Sequence, residues 1–284
     1  MEKNEIIRRT GLCGCLLLLL LCMSGCKRED KINDLFPEKL ATQLPQTTNF
    51  NVHKFVISEE LNYYSPVVRW QVNGQDLFML VDTGAYNNFL FLNGIKKGLK
   101  GLIITDILKS PDMHFSVEIN KLNYIIDPSC LMTVGYEVEF IDGLLGLSWM
   151  KRYNNIVFDY INHRIDYNQP PITDYDIPMN WNDVFGNGYA IPFTFNGKEM
   201  YGCIDTGCYC TYVNLGIIGE EKGDDGVYVV NDFSIGNIKY ENLTITQAKE
   251  GAMDDFAKNN ILGYPCFKDH VIQLDFKNNV FRIK

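Results

Sequence analysis

The feature that most constrains this chain is that it repeats itself. Val72-Asn73-Gly74 precedes Leu80-Val81-Asp82-Thr83-Gly84, and Phe195-Asn196-Gly197 precedes Cys203-Ile204-Asp205-Thr206-Gly207, an offset of 123 residues. Phe115-Ser116-Val117 matches Phe233-Ser234-Ile235 at offset 118, and Leu144-Leu145-Gly146 matches Ile261-Leu262-Gly263 at 117. Val157-Phe158-Asp159-Tyr160 then matches Gln273-Leu274-Asp275-Phe276 at 116. The offset falls in small steps, so the second copy is the first with a few loop residues removed.

Each copy reads as strands. Pro66 to Val72 and Ile191 to Phe195 alternate or run apolar, and each leads into Asn-Gly, a strong hairpin turn signal. The returning strand, Leu77 to Val81 or Met200 to Ile204, delivers Asp-Thr-Gly to a turn. Short strands at close spacing continue to the end of each copy, while Lys96 to Leu108 is ambiguous. Residues 169–189, with Pro170, Pro171 and Pro178, break the pattern and read as a connector. The expected organisation is a lobe over 52–168, that connector, and a homologous lobe over 190–284, in an all-β fold.

One Asp-Thr-Gly is an ordinary strand-ending turn. Two in equivalent positions, each followed by an apolar-apolar-Gly sequence 64 or 58 residues later, resemble the pepsin-like and retropepsin-like aspartic peptidases over residues 60 to 284. The resemblance implies two β-barrel lobes with the active site in the cleft between them. It implies that Thr83 and Thr206 cross-bond at the lobe interface, and that Gly84 and Gly207 allow the loops to approach closely. Asp82 and Asp205 are then the catalytic pair, roughly 3 Å apart and too close for both to ionise. One acts as general base on a shared water while the other, protonated, polarises the scissile carbonyl. The implied substrate is an extended peptide or protein, with no metal and no organic cofactor, and one chain supplies both halves, so a monomer is expected. A non-catalytic peptide-binding protein that retains the fold is the alternative.

The chain departs from the family pattern in places. Ala85 and Cys208 follow the two motifs where many pepsin-like enzymes carry a hydroxyl, which predicts a less acid pH optimum than pepsin's. Thr211 fits the usual Ser/Thr six residues after the aspartate, but its counterpart is Asn88. The stretch Asn93 to Met113, where a substrate-covering flap is expected, holds no Tyr, and the repeat places Tyr124 on a core strand.

The first 25 residues read as an export signal. Lys3, Arg8 and Arg9 precede an apolar run from Leu12 to Met23, too short to span a bilayer. The run ends in Met23-Ser24-Gly25-Cys26, which resembles the lipobox of bacterial lipoproteins and implies lipidation of Cys26. The expected location is the bacterial envelope, tethered to a membrane, the outer one by this reading. Residues 26–51 are polar, carry Pro37 and Pro45, and read as a tether or an inhibitory segment.

The remaining chemistry is excluded more simply. With 26 basic and 35 acidic side chains, the net charge of −9 and the lack of a basic stripe argue against nucleic acid. A hydrophobic share of 46% excludes a disordered chain. His53, His114, His163 and His270 are scattered and form no His-Glu-x-x-His. Gly146-Leu147-Ser148-Trp149-Met150 lacks the closing glycine of a serine nucleophile elbow. Beyond the signal and Cys26, five cysteines remain: Cys130, Cys203, Cys208, Cys210 and Cys266. They form no C-x-x-C pair and read as small buried residues, with one disulfide an open alternative.

Overall fold

The computed structural model describes residues 52–58, 63–72, 75–86, 88–91, 115–119, 122–126, 131–133, 141–182, 188–218, 226–247 and 260–284. The signal sequence, Cys26, the tether, the Asn93–Met113 stretch and Cys130 lie outside them.

Both Asn-Gly signals sit between paired strands. Tyr63–Val72 runs antiparallel to Gln75–Val81, closing on Val72 opposite Gln75. In the second copy Gly188–Phe195 pairs with Lys198–Ile204, closing on Phe195 opposite Lys198. Asn196 and Gly197 between them have φ of 48° and 73°, the left-handed geometry that a two-residue hairpin loop requires. The gene-duplicated order continues identically in each lobe. Gln75–Val81 is joined in parallel by Gly143–Leu145, which pairs antiparallel with Asn88–Leu90. Lys198–Ile204 is joined in parallel by Asn260–Leu262, which pairs antiparallel with Tyr212–Val213. The hairpin Phe115–Ile119 and Leu122–Ile126 leans on Tyr63–Val72, and Tyr124 stands on its second strand opposite Val117. Its counterpart, Phe233–Ile235 with Ile238–Tyr240, leans on Gly188–Phe195.

The lobes meet in a shared sheet. Its strands run in the order Ile177–Pro178, Val280–Ile283, Val271–Asp275, Asn155–Asp159, Arg164–Tyr167, Val52–Ser58. At the centre, Val157 pairs with Gln273, its own counterpart in the repeat, so the pseudo-twofold axis passes between these two residues. The short strands Ile177–Pro178 and Asn180–Asn182 lie within the connector, and the first strand of the second copy already begins at Gly188.

Alternation explains which faces are buried. In Leu243–Gln247 the residues Leu243, Ile245 and Gln247 are buried while Thr244 is exposed, the period-two pattern of a sheet with one face on the core. Strands at the lobe interface are buried on both faces, as in Asn155–Asp159. Polar groups caught there are paired. The buried Arg282 donates to Asp176 at 2.6 Å, and to Asp275 and Gln273 at 3.1 Å each. Burial alone would raise the Asp275 carboxyl, but hydrogen bonds from Asn278 and Arg282 outweigh it and hold the group below the usual carboxylate range.

Replacing Arg282 therefore removes the cation from a buried carboxylate and leaves it the Asn278 hydrogen bonds. Arg282→Met is expected to destabilise the protein by about 3–5 kcal/mol at pH 7, measured by urea unfolding. The lowered Asp275 group stabilises the fold above its unfolded titration range and ceases to do so as pH falls through the folded one. The gap between variant and wild type should accordingly narrow in strong acid.

Candidate active site

Each Asp-Thr-Gly loop starts where its motif strand ends, and the following loop is held by the parallel strand beside it. The Asp82 N–H donates to the Leu145 carbonyl at 3.0 Å, and the Asp205 N–H to the Leu262 carbonyl at 3.0 Å. The Leu147 N–H donates to the Ala85 carbonyl at 2.8 Å, and the Tyr264 N–H to the Cys208 carbonyl at 2.9 Å. These are the same two bonds in each copy, the first to the end of the parallel strand and the second from the first residue of a short helix, Leu147–Met150 or Tyr264–Phe267, that follows Gly146 or Gly263.

The two loops then grip each other across the lobe boundary. The Thr83 N–H donates to the Thr206 hydroxyl oxygen at 3.0 Å, and the Thr206 N–H to that of Thr83 at 2.9 Å. In turn Thr83 Oγ1 donates to the Ile204 carbonyl and Thr206 Oγ1 to the Val81 carbonyl, both at 2.8 Å. Each hydroxyl both donates and accepts, so the two side chains satisfy four groups in a site where both threonines are buried. Ser65 adds a further crossing bond, donating to the Gly207 carbonyl at 2.7 Å.

This grip brings the carboxyl groups together. The Gly84 N–H donates to Asp82 Oδ1 at 2.7 Å and the Gly207 N–H to Asp205 Oδ1 at 2.9 Å. A methyl at Gly84 would collide with the Asp205 carboxyl, and one at Gly207 would lie 2.5 Å from Asp82 Cγ. Each carboxyl thus rests on the glycine of the opposite loop, which only a residue without Cβ permits. With each carboxyl group against the glycine of the other loop, the two are brought close together. Asp82 is buried, while Asp205 keeps partial exposure to solvent.

Burial raises both groups above the ordinary carboxylate range. Asp205 is raised well above it, because the Asp82 charge adds to its burial. Asp82 is raised by burial and drawn partly back by its bond to Asp205 and by the N–H groups of Gly84, Ala85 and Gly207. The pair titrates as a unit, with one proton retained between them over a wide range.

Asn88, the apparent departure from the pattern, does the work of its counterpart. Asn88 Oδ1 accepts the Gly146 N–H at 3.0 Å, and Thr211 Oγ1 accepts the Gly263 N–H at 3.3 Å. A carbonyl oxygen one bond further out replaces a hydroxyl as the acceptor. Cys203, Cys208 and Cys266 are buried and Cys210 is half-buried. Cys266 is buried, lies 3.2 Å from Thr211 Oγ1, and has its thiol pushed up to about 12 by burial, so it packs behind the loop as a neutral side chain. No group of three or more potential metal ligands occurs among the described residues, nor does any helix there long and apolar enough to cross a membrane. Sequence reasoning missed Ser65 and Tyr160 near the pair, since neither carries a motif.

A raised carboxyl destabilises the fold once it must ionise. Its stabilising protonation is complete below the unfolded titration range and lost as pH rises through the folded one. Asp205→Asn is therefore expected to raise the melting temperature at pH 7, by roughly 2–4 °C per kcal/mol relieved. The gain should shrink and vanish as pH falls below the ordinary carboxylate range; differential scanning calorimetry across pH reads it.

No family model and no curated protein matches the sequence. Among solved structures, the chain is similar to the aspartic proteinase from Irpex lacteus. The TM-score is 0.50 at 13% identity, and the match covers 78% of this chain and 94% of that one. The likeness shows the fold: an all-β, pepsin-like architecture of two lobes.

Proposed function

We propose that the protein is an aspartic endopeptidase in which Asp82 and Asp205 activate one water molecule between them. The observation that carries this reading is the mutual approach of two carboxyl groups, Asp82 buried and Asp205 partly exposed, each seated on the other loop's glycine. Holding two acids in contact is unfavourable, and a scaffold with no use for their shared proton would be more stable with an amide at either position.

The chemistry follows from the single retained proton. The ionised member takes a proton from the water, whose oxygen attacks the peptide carbonyl carbon. The protonated member donates to the carbonyl oxygen, giving a neutral tetrahedral diol without a covalent enzyme intermediate. Collapse then returns a proton to the leaving amine and regenerates a pair with one proton. The threonine grip matters because general acid–base transfer requires both oxygens within hydrogen-bond reach of one atom. Burial of the pair and the absence of hydroxyls at Ala85 and Cys208 together favour a working range less acid than pepsin's.

Asp82→Asn and Asp205→Asn should each lower kcat by about 10²–10⁴-fold on a denatured-protein substrate mixture, with fragments mapped by mass spectrometry at several pH values. Cleavage undiminished in both variants would remove the pair from the mechanism. Absence of cleavage in wild type at every pH would favour the peptide-binding alternative.

The N-terminal sequence supports a location for this activity in the bacterial envelope, anchored through Cys26. The expected result is a mature chain whose first residue is a lipid-modified Cys26, read by mass spectrometry of the membrane fraction. A Cys26→Ala variant should leave that fraction.

A further inference from the structure

Both motif loops leave a tyrosine at the surface in the same place. Tyr86 lies four residues past Asp82, and Tyr209 four past Asp205. Tyr86 is 38% exposed and Tyr209 39%. Each stands two residues past the glycine on which the opposite carboxyl rests, so at most about 8 Å separates their Cα atoms. The pseudo-twofold axis sets the two tyrosines on opposite sides of the carboxyl pair.

Their surroundings differ. Beside Tyr209 stands Tyr64, stacked at 6.4 Å. Beside Tyr86 stands a cation: Lys151 Nζ lies 4.6 Å from the Trp181 ring centre, 5.6 Å from that of Tyr189 and 5.9 Å from that of Tyr86. Trp181 comes from the connector and Tyr189 from the first strand of the second copy, so rings from beyond the first lobe hold a first-lobe lysine. Trp181 meets Tyr86 edge-on at 5.8 Å and Tyr189 at 5.0 Å, which makes the three rings one continuous wall. That wall adjoins the first Asp-Thr-Gly loop, because a Cβ on Gly188, next to Tyr189, would lie 4.0 Å from the Thr83 carbonyl oxygen. Lys268, the counterpart of Lys151 at offset 117, is exposed and lies over no ring among the described residues.

The rings attract the ammonium but do not neutralise it. Lys151 is exposed and has no carboxylate within ion-pair distance among the described residues. A cation held in place loses less freedom on meeting an anion than a mobile one, and the rings already shield one side of it from water. Its charge also offsets the repulsion that a singly ionised carboxyl pair exerts on a neighbouring acid.

We propose that Lys151 is a specificity-determining residue: held by Trp181, Tyr189 and Tyr86, it seats an aspartate or glutamate side chain of a peptide substrate on the first-loop side of the carboxyl pair. The second-loop side, with Tyr64 and Tyr209, has no cation held in this way. The substrate is therefore an acidic peptide that binds in one direction across the pair.

The inference rests on the peptidase reading for its readout by cleavage, and peptide binding tests it separately. Digestion of a mixed peptide library by wild type should enrich Asp or Glu at a fixed position on one side of the cut. Lys151→Gln should lower kcat/KM on a Glu-containing peptide about tenfold more than on the same peptide with Gln. Lys151→Glu should turn the preference at that position toward Lys and Arg. Trp181→Ala, which keeps the charge but removes its nearest ring, should weaken the acidic preference less than Lys151→Gln does. Equal losses on the Glu and Gln peptides, or an enrichment that survives Lys151→Gln, would make the lysine a structural clamp and overturn the proposal. A wild type that cleaves nothing defeats the peptidase reading, and the decision then passes to retention of labelled decapeptides carrying one Glu or one Gln. Tighter retention of the Glu set by wild type, lost in Lys151→Gln, supports the assignment; equal retention of the two sets, or none of either, overturns it.

Discussion

Everything at the centre of this molecule depends on four buried hydrogen bonds between Thr83, Thr206 and the backbones of the two motif strands. Each bond contributes about 1 kcal/mol net, but breaking one would leave a buried donor or acceptor unsatisfied, at a cost of about 1–3 kcal/mol. The asymmetry makes the loops stiff. Stiffness is what the carboxyl pair requires, because two acids free to move would separate and each would be solvated alone. The threonines hold the backbone, the glycines let the backbones close in, and the carboxyl groups have no other place to go.

The rest of the interlobe architecture resists the repulsion this creates. The shared sheet crosses the pseudo-twofold axis at Val157 and Gln273, so it fixes the relative position of the lobes by backbone pairing rather than by side chains alone. Arg282 ties the strand Val280–Ile283 to the connector through Asp176 and to the neighbouring strand through Asp275 and Gln273. Aromatic rings complete the seam. Tyr64 of the first lobe approaches Tyr264 of the second at 5.1 Å, and Tyr160 reaches the same ring from below. The pair is therefore supported from its sides by loops and from behind by a packed aromatic layer.

Much of this was legible in the chain. The duplicated Asp-Thr-Gly, the Asn-Gly turns and the apolar-apolar-Gly strands marked both the β architecture and the residues that meet at its centre. Those signals are local: a turn needs particular φ values, and a strand needs alternation, and both are written in adjacent residues. Asn88 shows the limit of that reading. Compared by type it departs from Thr211, yet its amide oxygen reaches the same kind of glycine N–H. Acceptor position, which depends on backbone placement, matters there more than residue type. Cys208 and Cys266 were readable only as small side chains; that one flanks the second Asp-Thr-Gly loop while the other packs against Thr211 follows from where the strands lie.

The sequence by itself determined that there are two copies of one β unit, that each ends a strand in an aspartate, and that a glycine follows two residues later. These are properties of periodicity and of turn stereochemistry, which act over a few residues. Only the tertiary structure decided that each glycine lies beneath the other copy's carboxyl, that Ser65 crosses to Gly207, and that the Tyr160 ring packs against Tyr264 of the other lobe. Contacts between residues more than a hundred positions apart depend on how the two lobes dock. Docking is set by the summed packing and hydrogen bonding of the whole interface, a quantity that no short stretch of chain contains.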